Sequence, residues 1–208
     1  ETLETATYCG NHLLKNRVKT QSGWNAWNTM DSTLASVPLV GFSHGAAGIA
    51  YALLKLYQVT GDTDFYIAAK EAIDYENSEF VPEKNNWPDF RKLPMAKKEN
   101  KKNSTGFMCA WCNGAPGIGL ARIGAMDILE SDIIRKHIHS AMQTTIEHVM
   151  QPRDHLCCGN MGRAEVLLTA GTRLSRPEWV EEAVKLASQT TDRSKKNGSF
   201  SLSFRHGF

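Results

Sequence analysis

Three stretches of this chain share one design, and that repetition constrains the fold more than any other feature. They are His44-Gly45-Ala46-Ala47-Gly48-Ile49, Asn113-Gly114-Ala115-Pro116-Gly117-Ile118 and Cys158-Gly159-Asn160-Met161-Gly162-Arg163. Each has the form x-Gly-x-x-Gly, and each opens a helix-like run rich in small and apolar residues. Recurrence at unequal intervals describes a repeat with insertions of variable length. Each motif run is followed by a more charged amphipathic stretch: residues 64–79, residues 132–150 and residues 178–191. Thr2 to Arg17 reads as a similar helix, and no segment alternates well enough to claim a strand. Apolar motif helices on the inside with charged followers outside give stacked helical hairpins. The fold class is therefore all-α, either a curved solenoid or a closed α/α barrel.

Composition removes several functions. Across 208 residues, 24 Lys and Arg against 22 Asp and Glu leave a net charge of +2, too little for a nucleic-acid binder working through a basic field. No apolar run approaches a membrane span, and the first residues lack the basic start and apolar middle of a secretion signal. The expected compartment is a reducing cytoplasm, where clustered cysteines signal metal or redox chemistry. Residues 80–106 hold three prolines and a lysine-rich run from Lys97 to Lys102, and read as a loop with a solvated basic face. Within it, Trp87-Pro88-Asp89-Phe90-Arg91 reads equally as an anchor for the loop or as a substrate contact. Residues 193–200 read as a polar turn.

Aligning the repeats on their glycines makes His44, Asn113 and Cys158 equivalent, with Ser43, Cys112 and Cys157 one position earlier. Equivalent loops of stacked hairpins emerge at one end, so Cys112, Cys157 and Cys158 are expected to meet there with His44 nearby. Three thiolates suit a tetrahedral Zn2+ with one position open, the pattern of catalytic sites. Such a site is a weak Lewis acid and is better suited to holding a further thiolate that stays nucleophilic than to activating water. His44 would shuttle a proton or serve as a ligand. Cys109-Ala110-Trp111-Cys112 is also a CxxC, open to reading as a redox pair or half a zinc knuckle, and Cys109 could replace one ligand. Cys9 is expected in the core. His137, His139 and His148 are expected on the surface, and His155 is expected to support the Cys158 loop.

These residues resemble the cyclase module of lanthipeptide synthetases, the LanC-like family. Gly41-Phe42-Ser43-His44-Gly45 matches its HG motif, Trp111-Cys112-Asn113-Gly114 its WCxG motif, and Cys157-Cys158-Gly159 its C[HC]G motif. The contexts around Trp87 and Cys109 look most like the bifunctional class II (LanM-type) enzymes. The resemblance implies an α/α toroid with zinc held by Cys112, Cys157 and Cys158, an all-cysteine variant of the site. It implies that a precursor-peptide cysteine adds to dehydroalanine or dehydrobutyrine, giving lanthionine or methyllanthionine, with His44 as the acid/base group. The implied partners are a dehydrated precursor peptide and a dehydratase domain of the same polypeptide, in a bacterial cytoplasm, with no nucleic acid and no membrane span. Asn113 stands where many relatives have His, and the family's catalytic aspartate precedes the HG motif by more sequence than lies before His44 here, so no residue is assigned to it.

Two alternatives share these residues. One is a LanC-like protein binding zinc and glutathione; the other is a helical scaffold whose zinc is structural and closed by a fourth protein ligand such as Cys109 or His155. Residues 1–208 are expected to form one cyclase domain holding part of the toroid, with the Ser203 to Phe208 end, including His206-Gly207, as a cut fourth motif. Such a piece alone is expected to expose apolar helix faces and to be unstable.

Overall fold

The computed structural model describes residues 1–92 and 106–202, so the Lys97 to Lys102 run and His206 lie outside the described residues. Seven α-helices carry the architecture: α1 (Thr2–Lys15), α2 (Ala46–Thr60), α3 (Thr63–Ser78), α4 (Ala115–Ala125), α5 (Asp132–Glu147), α6 (Asn160–Arg173) and α7 (Pro177–Asn197). The motif helices α2, α4 and α6 each pack against their follower, as α2–α3, α4–α5 and α6–α7 hairpins. They also pack side by side, α2 on α4 and α4 on α6. Inner helices in a row with one outer helix behind each is the arrangement the repeats imply.

Local sequence explains these elements. Asp62 caps α3 by accepting from the Asp64 amide, and Ser131 caps α5 by accepting from the Ile134 amide, each worth about 1 kcal/mol. Gly61 and Gly198 close α2 and α7 in the left-handed region, which glycine enters without a Cβ penalty. The inner helix α4 is buried on nearly every side, so small residues (Ala121, Gly119, Gly124) are what fit there. Gly119 faces Ala141 and Met142 of α5 closely, and Gly124 faces the Tyr51 ring of α2.

Four expectations need correction. The chain does contain a strand pair, β1 (Val18–Lys19) antiparallel to β2 (Asn25–Ala26), a short ribbon whose polar turn hides its pattern. Helix α7 runs on to Asn197, through what reads as a polar turn, because Thr190 and Ser194 lie on its buried face. Cys9 is exposed rather than in the core: Gly10 is the one buried residue of α1.

His137 is also buried, 3% exposed, against the expectation of a surface position. It stacks beside Phe80 and meets the Trp87 ring edge-on, while Glu76 and Arg122 form a buried ion pair at 2.6 Å nearby in the same hairpins. Burial first, then the charges of Arg122 and Lys136, hold His137 down at about 4. The folded chain therefore refuses a proton that the unfolded chain takes up. The stability His137 contributes is complete above about pH 6.5 and is lost as pH falls toward 4, on the order of 3 kcal/mol. Glu76, which burial lifts to about 7 against the pull of Arg122, titrates with the opposite sign as pH falls from about 7 toward its ordinary value. His137→Phe keeps the ring contacts and removes the titration. Urea midpoints measured from pH 7 to pH 4 are expected to fall less in this variant than in the native chain.

Candidate metal centre

The repeated glycines shape the loops that hold the cysteines. Gly45, Gly114 and Gly159 are the N-cap residues of α2, α4 and α6, and none of these helices has a side-chain cap. In the first repeat the Ala46 and Ala47 amides donate to the carbonyls of Leu39 and Val40. In the third the Asn160 and Met161 amides donate to Arg153 and Asp154 in the same register. The second repeat closes differently: the Asn86 amide group is inserted, its Nδ2 donating to Met108 O at 2.9 Å and its Oδ1 accepting from Ala115 N at 2.8 Å. The leading amides of all three helices, which have no intrahelical partner, are thus satisfied.

The second glycine of each motif answers a closer approach. A Cβ at Gly48, Gly117 or Gly162 would lie 2.0, 1.9 or 1.8 Å from the carbonyl oxygen of Phe42, Trp111 or Leu156. Those carbonyls stand directly before Ser43, Cys112 and Cys157. The three loops are also stitched together: Ser43 N donates to Cys112 O at 3.0 Å, and Cys112 N donates to Cys157 O at 3.2 Å. Trp111 packs on Phe42, ring centres 5.2 Å apart, across the first two loops.

This stitching brings the three predicted ligands together. The sulfurs of Cys112, Cys157 and Cys158 all lie within 4.8 Å of one another, and no other group of three or more potential ligands occurs among the described residues. Cys112 and Cys158 sulfurs are 3.5 Å apart, and Cys158 and Cys157 sulfurs 3.3 Å. Zn–S bonds of about 2.3 Å in a tetrahedron require an S···S edge of about 3.8 Å, so the cluster fits the ion. Burial above all, and then the neighbouring thiols, push the Cys112 thiol well up, and burial pushes Cys158 up as well. Three crowded sulfurs shed their protons together only where a cation offsets the charge, which is the chemistry of a thiolate metal site.

The remaining candidates separate clearly. Cys109 is buried outside the cluster, its thiol 3.7 Å from Thr144 O, and burial lifts it to about 11. His155 turns its Nδ1 to the Cys158 amide at 3.2 Å, supporting the loop as expected. Neither belongs to the sulfur group, so no fourth protein ligand closes it among the described residues. His44 is exposed; its carbonyl accepts from the Thr29 hydroxyl. It lines a small cavity with Leu39, Gly41, Gly45, Arg91, Cys112 and Asn113. It also lines an apolar cavity of about 490 Å³ with Phe42, Ile49, Tyr51 and Trp111 among others. In the 80–106 segment Trp87 and Arg91 are placed differently. Trp87 is the anchor, fully buried with its Nε1 on Glu76 O at 2.9 Å, while Arg91 reaches the cavity beside Cys112.

Sequence reasoning missed the polar residues that hold these loops. Asn160 spans its own loop, donating to Gln151 O and Arg153 O and accepting from Gln151 N. Buried Asp154 accepts from Asn160, from Arg193 of α7 and from the Ser201 amide. Arg163 crosses to the end of α5, donating to the carbonyls of Thr145, His148 and Val149. An Asn directly after a motif glycine was the one available signal.

A solved structure of nisin cyclase matches this fold with a TM-score of 0.62 at 16% sequence identity, over 93% of this chain and 53% of that one. The chain spans about half the length of that cyclase. This likeness shows the architecture, an α/α toroid built from helical hairpins. No described helix is long and apolar enough to cross a membrane. The family described as lanthionine synthetase C-like protein matches residues 1–208. The chain belongs to the lanthionine synthetase C-like family.

Proposed function

We propose that this chain forms the reaction face of a zinc-dependent lanthionine cyclase, and that Cys112, Cys157 and Cys158 hold the metal. The observation that carries this reading is the convergence of three sulfurs from two loops beside a cavity that contains His44. Zinc, when bound, supplies the positive charge that lets thiols lose their protons at neutral pH. Three sulfurs would fill three of zinc's four positions and leave the fourth for a substrate sulfur, which favours reaction over a purely structural role. The apolar cavity beside His44 suits the side chains flanking a reacting peptide residue. His44, exposed at its edge, accepts the substrate thiol proton and returns it to the α-carbon after addition.

The substrate class is a precursor peptide already dehydrated to dehydroalanine or dehydrobutyrine. The finer assignment is to the class II synthetases, with residues 1–208 as a cyclase domain whose dehydratase belongs to the same polypeptide. The sequence contexts around Trp87 and Cys109, which look most like the class II enzymes, are what support it.

A direct test offers pre-dehydrated peptide to zinc-loaded full-length protein and to its His44→Ala variant, and counts free thiols by alkylation and mass. The native protein is expected to consume thiols, while the variant keeps its zinc and slows by about 10²–10⁴-fold. Zinc-loaded native protein that leaves every thiol free would end the cyclase reading.

A further inference from the structure

We propose that Arg91 is a further catalytic residue, whose guanidinium donates to the peptide carbonyl oxygen that becomes negative when sulfur adds to the dehydrated residue. The inference rests on the cyclase reading and supplies a partner for a charge that His44 and the cysteines leave unattended.

In that addition the substrate sulfur forms a bond to the β-carbon. The C=C π pair moves toward the adjoining carbonyl, and the negative charge settles on the amide oxygen as an enolate. The electrons then return to form a C–H bond at the α-carbon with the proton that His44 took from the thiol. Thiol and alkene become thioether, and nothing is oxidised or reduced. His44 carries the proton to carbon, so a different group must meet the oxygen. A fixed donor aimed at developing oxyanion charge is commonly worth about 10²–10³-fold in kcat.

Three features of Arg91 fit that task. It lines the same small cavity as His44, Cys112 and Asn113. Its orientation is fixed, because Nε and Nη2 donate as a fork to the two carboxylate oxygens of Asp89 at 2.9 and 2.8 Å. Asp89 is itself buried, 5% exposed, and its amide donates to Gly106 O at 2.8 Å. Nη2 also rests 2.7 Å from Met108 Sδ. The fork uses one edge of the guanidinium, and Nη1 takes no protein acceptor among the described residues. Finally, the cavity that Arg91 lines reaches Cys112, a member of the sulfur cluster. A cation beside the cluster that would hold the substrate sulfur is within reach of the carbonyl that would take up the charge, and an arginine stays charged at any working pH.

An anchoring role alone does not account for this placement. Trp87 already fixes the segment in the core, and Lys92 N adds a main-chain bond to Leu34 O at 2.7 Å. An anchor needs only the edge facing Asp89.

The experiment uses the zinc-loaded full-length protein and pre-dehydrated peptide, comparing native protein with Arg91→Gln and Arg91→Ala. Arg91→Gln is expected to keep its zinc and helix content and a KM within about threefold, while kcat falls about 10²–10³-fold. Guanidinium ion at millimolar concentration is expected to restore Arg91→Ala by about tenfold and to leave native protein unchanged. A kcat within about threefold of native in Arg91→Gln overturns the proposal and leaves the cyclase reading standing. Loss of zinc and helix content together with rate, and no guanidinium rescue, makes Arg91 an anchor and also overturns it. Native protein that binds zinc but forms no thioether removes the cyclase reading and this inference together.

Discussion

Cys112→Ala is expected to abolish metal binding and thioether formation in one step. Cys157 and Cys158 are neighbours on the third loop, and Cys112 is the sole ligand from the second. Its sulfur is also the most shielded of the three, in a residue only 6% exposed. Without it, two adjacent thiols on a half-exposed loop must hold zinc with water in the remaining positions. Metal analysis after dialysis is expected to fall from about one zinc per chain to near none. The fold is expected to survive, because the bonds from Ser43 to the residue 112 carbonyl and from its amide to Cys157 are main-chain and persist in alanine. Far-UV dichroism should therefore change little while the metal disappears. Stoichiometric zinc in this variant would remove the ligand assignment.

The second large effect concerns Gly117. An alanine Cβ there would sit 1.9 Å from Trp111 O and 2.9 Å from the Phe42 side chain. The Phe42 atom is its backbone-fixed Cβ, and a carbonyl moves only with its peptide, which here leads directly into Cys112. Gly117→Ala is expected to cost on the order of 4 kcal/mol and to lower zinc content, read from urea unfolding and metal analysis. Gly48→Ala and Gly162→Ala are expected to behave alike, since their clashes are with the equivalent carbonyls. Gly198→Ala is the control: nothing lies within 4 Å of its Cβ position, and only its φ of 76° is unfavourable, so about 1–2 kcal/mol is expected. Equal costs at Gly117 and Gly198 would mean that the loop is not packed as described.

Much of the architecture was legible because the repeats are local. Glycine spacing fixes the entry to α2, α4 and α6, and hydrophobic periodicity fixes their partners, so the hairpins and the meeting of Cys112, Cys157 and Cys158 followed from pattern. His137 was misjudged although its signal was present. It falls at helical spacing with Ile134, Ile138 and Ala141, and the charged residues around it obscured a buried face. Thr190 and Ser194 were missed for the same reason in reverse: polar side chains turned inward, returning their hydroxyls to carbonyls of their own helix. Asn86 was beyond reach, because its partners Met108 and Ala115 lie across an insertion and no local spacing marks them. Asp154 pairs with Arg193 and Ser201 across the whole third hairpin. Hydrogen bonds that span hairpins leave no period to read.

Cys112, with its carbonyl held by the first repeat and its amide by the third, gives the chain an internal clock. Amide protons exchange with solvent deuterium only when their hydrogen bonds open, so the Ser43 and Cys112 protons time the parting of adjacent repeats. An ion gripping the second and third loops must slow the Cys112 proton first. The Ser43 proton, whose acceptor is the carbonyl of the same residue, should slow in step even though its own loop supplies no ligand.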